Sequence, residues 1–386
     1  SGKSKELLLF PSLIRIFALQ RARIPRKKPF MFKLLRKLSP IIGAERAHDL
    51  TVMMLRIVGS IPCGKWILRK MYSVEHPSLE REVFGLRFRN PVGMAAGFDR
   101  NGEIFRELDA LGFGFVEIGT VTPRPQQGNP KPRVFELPAD RAILNRIGLA
   151  SKGLDRVISN LRHPRKNIII GCNIGKNTVT PPDSAPQDYL RVFRNLYQYV
   201  DYFTVNVSYN TTFKQYVPRT RESVCKILEP LFDFRRGQNQ YRPILLKISP
   251  DLSNEDIDTM TDIMMDTPLD GIVATNAMVK PSVMNTDGET LKKTGYGAIS
   301  GDPLTRRAIE VVSRIYERCH GTYPIIGVGG LMSPSDVKAM LNAGATLVQT
   351  YTGYVYNGPR FVGDICRSLI EEENNKKSES QSDTTI

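Results

Sequence analysis

The 386-residue chain is 41% hydrophobic, 24% charged and 8% aromatic, an ordinary globular composition that excludes disordered, collagen-like and disulfide-scaffold proteins. Its length suffices for one large barrel or two ordinary domains. The five cysteines and four histidines are dispersed, without a C-x-x-C pair or a Cys/His cluster. This spacing argues against a zinc or histidine-rich metal site and favours a reduced compartment.

The positive charge is concentrated at the start of the chain. The formal net charge is +15, and residues 1–43 hold eleven basic residues against one acidic residue. Large apolar residues are interleaved with these cations, a mixture that favours a lipid surface over nucleic acid. The apolar stretch from Leu7 to Leu19 is interrupted by Pro11 and Arg15 and is shorter than the ~20 residues that span a bilayer. We therefore expect a membrane-surface arm that does not bind nucleic acid.

Two amphipathic helices are predicted next, over Met31–Leu38 and Glu45–Val58, with breaks at Ser39-Pro40 and Gly43 between them. The pattern is typical of a helical hairpin, although a helical cap that only shields one end of a barrel has the same spacing. One face of the second helix carries Ala47, Leu50, Thr51, Met54, Leu55 and Val58.

From Pro91 onward, short β-branched runs alternate with helical stretches. This alternation favours an α/β fold, a (β/α)8 TIM barrel, over an open doubly wound sheet. No G-x-G-x-x-G follows the first strand. The predicted strands are Phe115–Ile118, Ile168–Asn173, Tyr202–Val207, Ile244–Ile248, Gly271–Thr275, Ile325–Val328 and Leu347–Tyr351. The predicted helices are Glu103–Leu111, Gln187–Tyr199, Asn254–Asp266, Leu304–Glu317 and Ser333–Ala343.

Neutral amides follow several of these strands. Asn173, Asn206 and Asn276 stand at strand ends, and Asn145 lies in the segment Leu-Asn-Arg-Ile-Gly. In a barrel these positions lie at the catalytic face. An amide offers donors and an acceptor together, which matches the edge of a flavin or a pyrimidine. A single such Asn is ordinary turn chemistry, but three at successive strand ends favour a ligand site.

Lys247 lies inside the apolar strand Ile-Leu-Leu-Lys-Ile. One interpretation is a buried lysine paired with a carboxylate elsewhere in the core, although its sequence neighbours supply none. A fixed cation beside an anionic reduced cofactor is the favoured interpretation. The glycine-rich turns Ile326–Gly330 and Tyr351–Gly353, with Ser300-Gly301 upstream, are typical of phosphate-binding barrel loops.

Ordered motifs along the chain resemble those of dihydroorotate dehydrogenases. The resemblance covers roughly residues 30–370, and the basic amphipathic start resembles the class 2, membrane-associated, quinone-dependent branch. The motifs that carry it are Asn90–Asp99, Gly112–Pro123, Gly128–Arg133, Asn173–Asn177, Val205–Ser208, Lys247–Asp251, Thr275-Asn276, Ile325–Gly330 and Val348–Thr352.

The resemblance implies an FMN enzyme of pyrimidine biosynthesis. Dihydroorotate would lose a proton from C5 to a base and a hydride from C6 to the flavin, giving orotate, and ubiquinone entering between the N-terminal helices would reoxidise the flavin. A monomer on the inner mitochondrial membrane is expected, with the bacterial plasma membrane as the alternative. The implied segments are a basic arm (1–29), a membrane and quinone-tunnel domain (30–75), an FMN-binding barrel (76–370) with a possible insertion near 209–242, and a frayed polar tail (371–386).

The resemblance also implies roles for individual residues. The implied FMN contacts are Ala96, Gly97, Thr120, Asn145, Asn173, Asn206, Lys247, Thr275, Ser300, Gly301, Gly329, Gly330, Tyr351 and Thr352. The implied substrate contacts are Arg100, Asn145, Ile147, Gly148, Leu149, Asn206, Asn210, Asn276 and Ala277. The implied tunnel residues are His48, Leu50, Met54, Glu136 and Tyr351, and the implied catalytic residues are Ser208 and Lys247.

Four departures from the family pattern are substitutions at one or two positions each. Arg100 replaces a lysine and brings a forked geometry to the substrate carboxylate. Ile147 and Leu149 replace aromatic residues, and Ala277 replaces a threonine. Glu136 stands where an arginine of the quinone tunnel is common, which inverts the charge at that point.

The fifth departure concerns the catalytic base. The family reads Asn-x-Ser-Ser-Pro-Asn-Thr, and its second serine is the class 2 base, whereas this chain reads Asn206-Val-Ser208-Tyr209-Asn210. Either Tyr209 takes the base position, or Ser208 does, or the base lies on a loop after Ser208 that this sequence lacks. We favour the last interpretation. Any serine base near neutral pH needs a proton relay or a closed, dry site.

Two further functions stay open on the sequence. A relative that uses a soluble electron acceptor would fit Glu136, although the N-terminal helices oppose it. A membrane-docked flavoprotein without turnover would fit the altered base motif.

Overall fold

The computed structural model describes residues 39, 42–162, 168–208, 220–279, 281 and 283–383. Within these ranges the strands are β1 (Arg81–Val83), β2 (Leu86–Phe88), β3 (Val92–Met94), β4 (Phe115–Val121), β5 (Val134–Leu137), β6 (Ala142–Asn145), β7 (Ile169–Ile174), β8 (Tyr202–Asn206), β9 (Ile244–Ile248), β10 (Gly271–Ala274), β11 (Ala298–Gly301), β12 (Ile325–Val328) and β13 (Leu347–Thr350).

The helices in the same ranges surround these strands. They are α1 (Ala44–Ser60), α2 (Gly64–Tyr72), α3 (Phe105–Ala110), α4 (Leu154–Leu161), α5 (Ala185–Leu196), α6 (Arg221–Arg236), α7 (Asn254–Asp266), α8 (Gly288–Thr294), α9 (Thr305–Arg318), α10 (Pro334–Asn342), α11 (Thr352–Asn357) and α12 (Phe361–Asp383).

Eight strands close into a parallel barrel in the order β3-β4-β7-β8-β9-β10-β12-β13. Each strand pairs with its neighbours in chain order, which confirms the predicted (β/α)8 barrel. The bounds of β9, β12 and α7 agree with the prediction, because long apolar or strongly periodic runs define those elements. The β1–β2 hairpin packs beneath the barrel, where the rings of Phe88 and Phe115 meet edge to face with centroids 5.2 Å apart.

A second, antiparallel sheet of β5, β6 and β11 stands beside the mouth of the barrel. Strand β6 lies in its middle and pairs with both neighbours, so that Ile143 is opposite Glu136 on one side and Ser300 on the other. This sheet was not among the elements predicted from the sequence. Its strands have four residues each, and β11 pairs with a partner far away in the sequence, so no local pattern announces it.

The N-terminal hairpin consists of α1 and α2, whose axes are bent by 112°. Helix α1 matches the predicted Glu45–Val58, whereas the predicted Met31–Leu38 and the basic arm lie outside the described residues. Helix α2 was not predicted because nine residues are too few for a periodicity signal. Among the described helices none is long and apolar enough to cross a membrane by itself, and α1 and α2 meet that criterion only when they are taken together.

Two segments singled out in the sequence contain helices in their described parts, and the possible insertion near 209–242 stays a prediction. The described part of the 209–242 segment is the ordinary barrel helix α6, which begins at a capping box formed by Thr220 and Ser223. The expected frayed tail from Glu371 is helical as far as Asp383. Its second half is stabilised by the i,i+4 pair of Lys376 and Glu372, and Glu372 also pairs with Lys338 of α10 at 3.2 Å.

We expect Phe193→Ala to lower the free energy of unfolding by about 3–5 kcal/mol. Phe193 of α5 is fully buried, and its ring lies 4.5 Å from the ring of Phe203 and 5.8 Å from that of Phe234. Denaturant titration followed by circular dichroism measures the change. The control Val283→Ala, at a side chain that is 74% exposed, should change the value by less than about 0.5 kcal/mol. Equal effects of the two variants would contradict the assignment of this core.

Candidate active site

A cavity of about 790 Å³ opens where the carboxyl ends of the barrel strands meet the three-stranded sheet and the α1–α2 hairpin. Its inner wall comes from the loops that follow the strands, the face that carries chemistry in barrels. Its outer wall comes from the helices, through Ala47, His48, Thr51, Met54, Leu55, Val58, Leu68 and Tyr72. One continuous space therefore joins the centre of the barrel to the hairpin.

Most of the predicted site residues line this cavity. From the implied FMN set, they are Ala96, Gly97, Thr120, Asn145, Asn206, Lys247, Thr275, Ser300, Gly301, Gly329, Gly330, Tyr351 and Thr352. From the implied substrate set, they also include Arg100, Ile147, Gly148, Leu149, Asn276 and Ala277. From the implied tunnel set, they are His48, Met54, Glu136 and Tyr351.

Three predicted residues do not line the cavity wall, and Asn210 lies outside the described residues. Asn173 sits behind Thr120, whose Oγ1 donates to its Oδ1 at 2.6 Å. Ser208 is buried behind Asn206 and Asn276. Leu50 lies outside the row of α1 residues that faces the cavity, because that row follows an i, i+4, i+7 spacing from Ala47.

Lys247 of β9 is buried at the inner end of the cavity. Within the described ranges no hydrogen bond or ion pair reaches its ammonium group. Burial lowers the pKa of Lys247, and the negative charge of Glu117 opposes that shift. The core does contain a carboxylate, but Glu117 is hydrogen-bonded to other side chains, so the interpretation of Lys247 as half of a close ion pair is wrong.

The amides at the strand ends form a connected group. Asn206 Oδ1 accepts from the Ser208 hydroxyl at 2.8 Å, and Asn276 Nδ2 donates to Ser208 Oγ at 3.1 Å. The Ser208 hydroxyl is therefore engaged on both sides. It holds Asn206 and Asn276 in fixed orientations at the cavity edge.

The glycine-rich loops form the part of the wall that suits a phosphate. Gly329 and Gly330 have φ values of 132° and 68°, and a Cβ at Gly330 would lie 2.4 Å from Thr305 Cα at the start of α9. The loop therefore lies directly on that helix and presents backbone to the cavity. Across from it, the hydroxyl groups of Ser300 and Thr352 are 2.7 Å apart. This wall of backbone and hydroxyl groups suits a phosphate group.

An ion pair holds the hairpin against the three-stranded sheet. Arg133 is buried, and its Nη2 lies 2.7 Å from Glu45 Oε1 of α1. Burial would raise the pKa of Glu45, but the hydrogen bonds and charge of Arg133 and the nearby charge of Lys131 outweigh it, so the pKa is lowered. Beside this pair, Ser39 donates a hydrogen bond to Glu136. The mouth of the cavity is thus polar on the sheet side and apolar on the hairpin side.

His48 lies between the hairpin and the barrel, with its ring edge to face against Phe98 at 4.9 Å. Burial and then the positive charge of Arg100 lower its pKa to about 4, although the Phe98 backbone and Glu45 act in the opposite direction. The imidazole is therefore neutral at physiological pH.

Sequence reasoning missed Glu117 and Gln349. Both are fully buried in barrel strands, and the Glu117 carboxylate accepts from the Gln349 amide at 2.8 Å. Their signal is the same one that drew attention to Lys247, namely a polar residue within an apolar strand.

The comparison with protein families shows which family the chain belongs to. The dihydroorotate dehydrogenase family profile matches residues 78–372, which is most of the chain. The chain belongs to the dihydroorotate dehydrogenase family. All the barrel strands and the cavity-lining loops fall within the matched range.

Curated relatives and solved structures agree with this assignment. A protein of Christiangramia forsetii named dihydroorotate dehydrogenase (quinone) is 41% identical over 328 residues, covering 85% of this chain and 95% of the relative. A protein of Thermosynechococcus vestitus with the same name is 44% identical over 310 residues, covering 78% and 84%. The crystal structure of DHODH from Eimeria tenella in complex with ferulenol superposes with a TM-score of 0.79 at 30% identity, covering 89% of this chain and 96% of that one.

His48 predicts a specific pH dependence of stability. Its pKa is about 4 in the folded chain and 6.5 for an ordinary histidine, so only the unfolded chain takes up this proton as the pH falls through that window. The free energy of unfolding should therefore fall between pH 6.5 and about 4. His48→Gln should remove this part of the slope in denaturant titrations on either side of the window. Identical slopes for the two proteins would contradict the low pKa.

Proposed function

We propose that this chain oxidises dihydroorotate to orotate in pyrimidine biosynthesis, with FMN as hydride acceptor and ubiquinone as final electron acceptor. The observation that carries the proposal is the single cavity that joins an unpaired buried ammonium, neutral amides and glycine-rich loops to an opening between apolar helices. Relatives whose names specify a quinone-dependent dihydroorotate dehydrogenase support it.

The residues present fit FMN. A bound flavin would supply the hydride-accepting chemistry that amino-acid side chains lack. Lys247 would hold positive charge beside the ring, where negative charge develops during hydride transfer. The loops at Gly301, Gly329-Gly330 and Thr352 would hold the phosphate, and Ala96, Gly97, Thr120 and Thr275 would line the ring.

The substrate would lie against the amide side of the cavity. Asn145, Asn206 and Asn276 offer donors and acceptors to the pyrimidine edge. Arg100 would pair with the substrate carboxylate, and no hydrogen bond or ion pair within the described ranges engages its guanidinium. Ile147, Gly148, Leu149 and Ala277 would close the site with apolar surface.

Removal of the C5 proton needs a base, and Ser208 is not placed to act as that base. The Ser208 hydroxyl is buried and engaged by Asn206 and Asn276. We assign the base to the chain after Ser208, of which residues 209–219 lie outside the described residues. In this assignment Ser208 is a positioning residue.

The quinone would approach between α1 and α2. His48, Met54, Glu136 and Tyr351 line that part of the cavity, and the neutral imidazole and the apolar stripe of α1 suit an uncharged ring with an apolar tail. The Glu136 carboxylate replaces the positive charge expected there, so ligands of other family members need not transfer.

The hairpin is also proposed as a membrane contact. Its outer face exposes large apolar side chains, which are Met53, Ile57, Ile61, Trp66, Ile67 and Met71. Such a face, in a chain whose sequence carries a basic arm before the hairpin, suits an anionic lipid surface. The relatives reported above include bacterial proteins, so they favour a bacterial membrane and give no support to the mitochondrial inner membrane. We propose a monomer at this surface.

We expect the purified chain to be yellow, to release FMN on denaturation and to oxidise dihydroorotate with a short-tailed ubiquinone. Lys247→Met should lower kcat by about 10²–10³-fold, because it removes a charge aimed at the reacting ring. The surface control Lys226→Met should leave kcat unchanged. Reduction of fumarate alone would favour a soluble acceptor, and bound FMN without any turnover would favour a flavoprotein that does not catalyse this reaction.

The fluorescence of Trp66 can report membrane contact of the hairpin. Trp66 is the single tryptophan of the chain and is 54% exposed. Vesicles of phosphatidylcholine and phosphatidylglycerol should shift its fluorescence to shorter wavelength, because the indole leaves water. Replacing Ile57 and Ile61 together by Ser should weaken the shift about tenfold in lipid concentration. The matched control Val283→Ser, an exposed apolar residue elsewhere, should not. An unchanged Trp66 spectrum would contradict the contact.

A further inference from the structure

Glu117 is a buried acid of β4 that lies outside the cavity wall. Its Oε1 accepts from Asn173 Nδ2 at 2.8 Å. Its Oε2 accepts from Gln349 Nε2 at 2.8 Å, Thr204 Oγ1 at 3.1 Å and Tyr202 Oη at 3.2 Å. Four donors from three other strands therefore converge on one carboxylate.

The carboxylate fixes a direction because it only accepts hydrogen bonds. Asn173 must turn its NH2 toward Glu117, so its Oδ1 faces Thr120 and accepts from Oγ1 at 2.6 Å. The single hydroxyl proton of Thr120 is then engaged, and its oxygen accepts from Asn206 Nδ2 at 3.1 Å. The orientation of each side chain follows from the one before it.

The same order of donors and acceptors continues to the side of the cavity where the substrate would lie. Asn206 Oδ1 is left to accept from the Ser208 N–H at 3.0 Å and from the Ser208 hydroxyl at 2.8 Å. Ser208 Oγ then accepts from Asn276 Nδ2, whose Oδ1 accepts from the Ala277 N–H at 2.9 Å. We call Glu117, Asn173, Thr120, Asn206, Ser208 and Asn276 the amide relay. Three of its members, Thr120, Asn206 and Asn276, line the cavity.

A second branch of hydrogen bonds starts at Glu117 Oε2. Because Gln349 directs its NH2 at Glu117, its Oε1 points away, and within the described residues this buried oxygen has no hydrogen-bond partner. Gln349 and Lys247 both line the inner end of the cavity. The inner end of the cavity thus holds a buried acceptor, Gln349 Oε1, and a buried donor, the Lys247 ammonium, neither with a partner among the described residues.

We propose that Glu117 is the positioning residue that fixes the donor and acceptor orientation of the active-site amides, and so decides which ring edges the site accepts. A buried acid with a purely structural role would need hydrogen-bond donors around it. It would not require the donors and acceptors of the relay to run in a particular direction. The inference deepens the proposed function and rests on it only for the choice of substrate in the assay.

The variant Glu117→Gln tests the direction because it keeps the shape of the side chain. The carbonyl of the introduced amide can accept from the three donors that reach Oε2, which leaves its NH2 facing Asn173. Asn173 must then reverse or lose its bond to position 117. A reversed Asn173 points its NH2 at Thr120, so the Thr120 hydroxyl proton loses its acceptor. Asn206 could supply a new acceptor only by reversing, which would point its NH2 at the backbone N–H of Ser208, and that group cannot turn. We expect KM for dihydroorotate and Kd for orotate to rise at least tenfold.

The double variant with Glu117→Gln and Asn173→Asp should reverse this loss. The carboxylate introduced at position 173 can accept both from the amide introduced at position 117 and from Thr120. This restores the original direction of the relay and keeps one negative charge in the cluster. KM and Kd should return to within about threefold of the wild type. The matched control Thr204→Val removes one donor from Glu117 without reversing the relay, and its KM should change less than threefold.

Flavin content by visible absorbance, orotate binding by flavin perturbation and the thermal unfolding midpoint are measured alongside turnover for all four proteins. Wild-type KM and Kd in Glu117→Gln would overturn the proposal, as would a double variant no better than the single one. If Glu117→Gln alone fails to fold or to retain flavin, recovery in the double variant supports the proposal and its absence overturns it. A wild type that binds flavin but leaves dihydroorotate untouched contradicts the proposed function, while flavin content and the unfolding midpoint still compare the variants.

Discussion

The buried carboxylate of Glu117 and the buried ammonium of Lys247 do not neutralise each other in a close ion pair. Four neutral donors satisfy Glu117, whereas the part of the chain that the structure describes gives Lys247 no such partner. Removing an ion from water costs several kcal/mol unless it is compensated. The barrel therefore keeps one charge fully bound within the protein and leaves the other to act on whatever fills the cavity. The amides, the glycine-rich loops and the hairpin line the same cavity as Lys247.

The outer end of the cavity depends on a different contact. Glu45 of α1 and Arg133 next to β5 form an ion pair in which the arginine is buried, so breaking it leaves an uncompensated charge. This pair ties the hairpin to the side sheet and closes one wall of the opening. The neutral His48 and the Glu136 carboxylate face the same opening. They give it a polarity unlike the positive one expected from the family pattern.

The sequence predicted the barrel because parallel strands buried on both faces read as short apolar runs between amphipathic helices. The same reading picked out Lys247, since one cation in such a run is conspicuous. It missed the side sheet, in which Ile143 and Ser300 are opposite each other although they are 157 residues apart. Glu117 carries the same signal as Lys247, a charged residue in an apolar run, but the role of its carboxylate is interpretable only when the donors around it are known.

The sequence alone determined the fold class, the hairpin helix α1 and the set of polar residues at the carboxyl ends of the strands, because these follow from local periodicity. Tertiary structure decided which members of that set reach the cavity. Asn173 and Ser208 stand one layer behind Thr120 and Asn206. Their orientations are set by hydrogen-bond partners on strands far apart in the chain, and only closure of the barrel brings those partners within bonding distance.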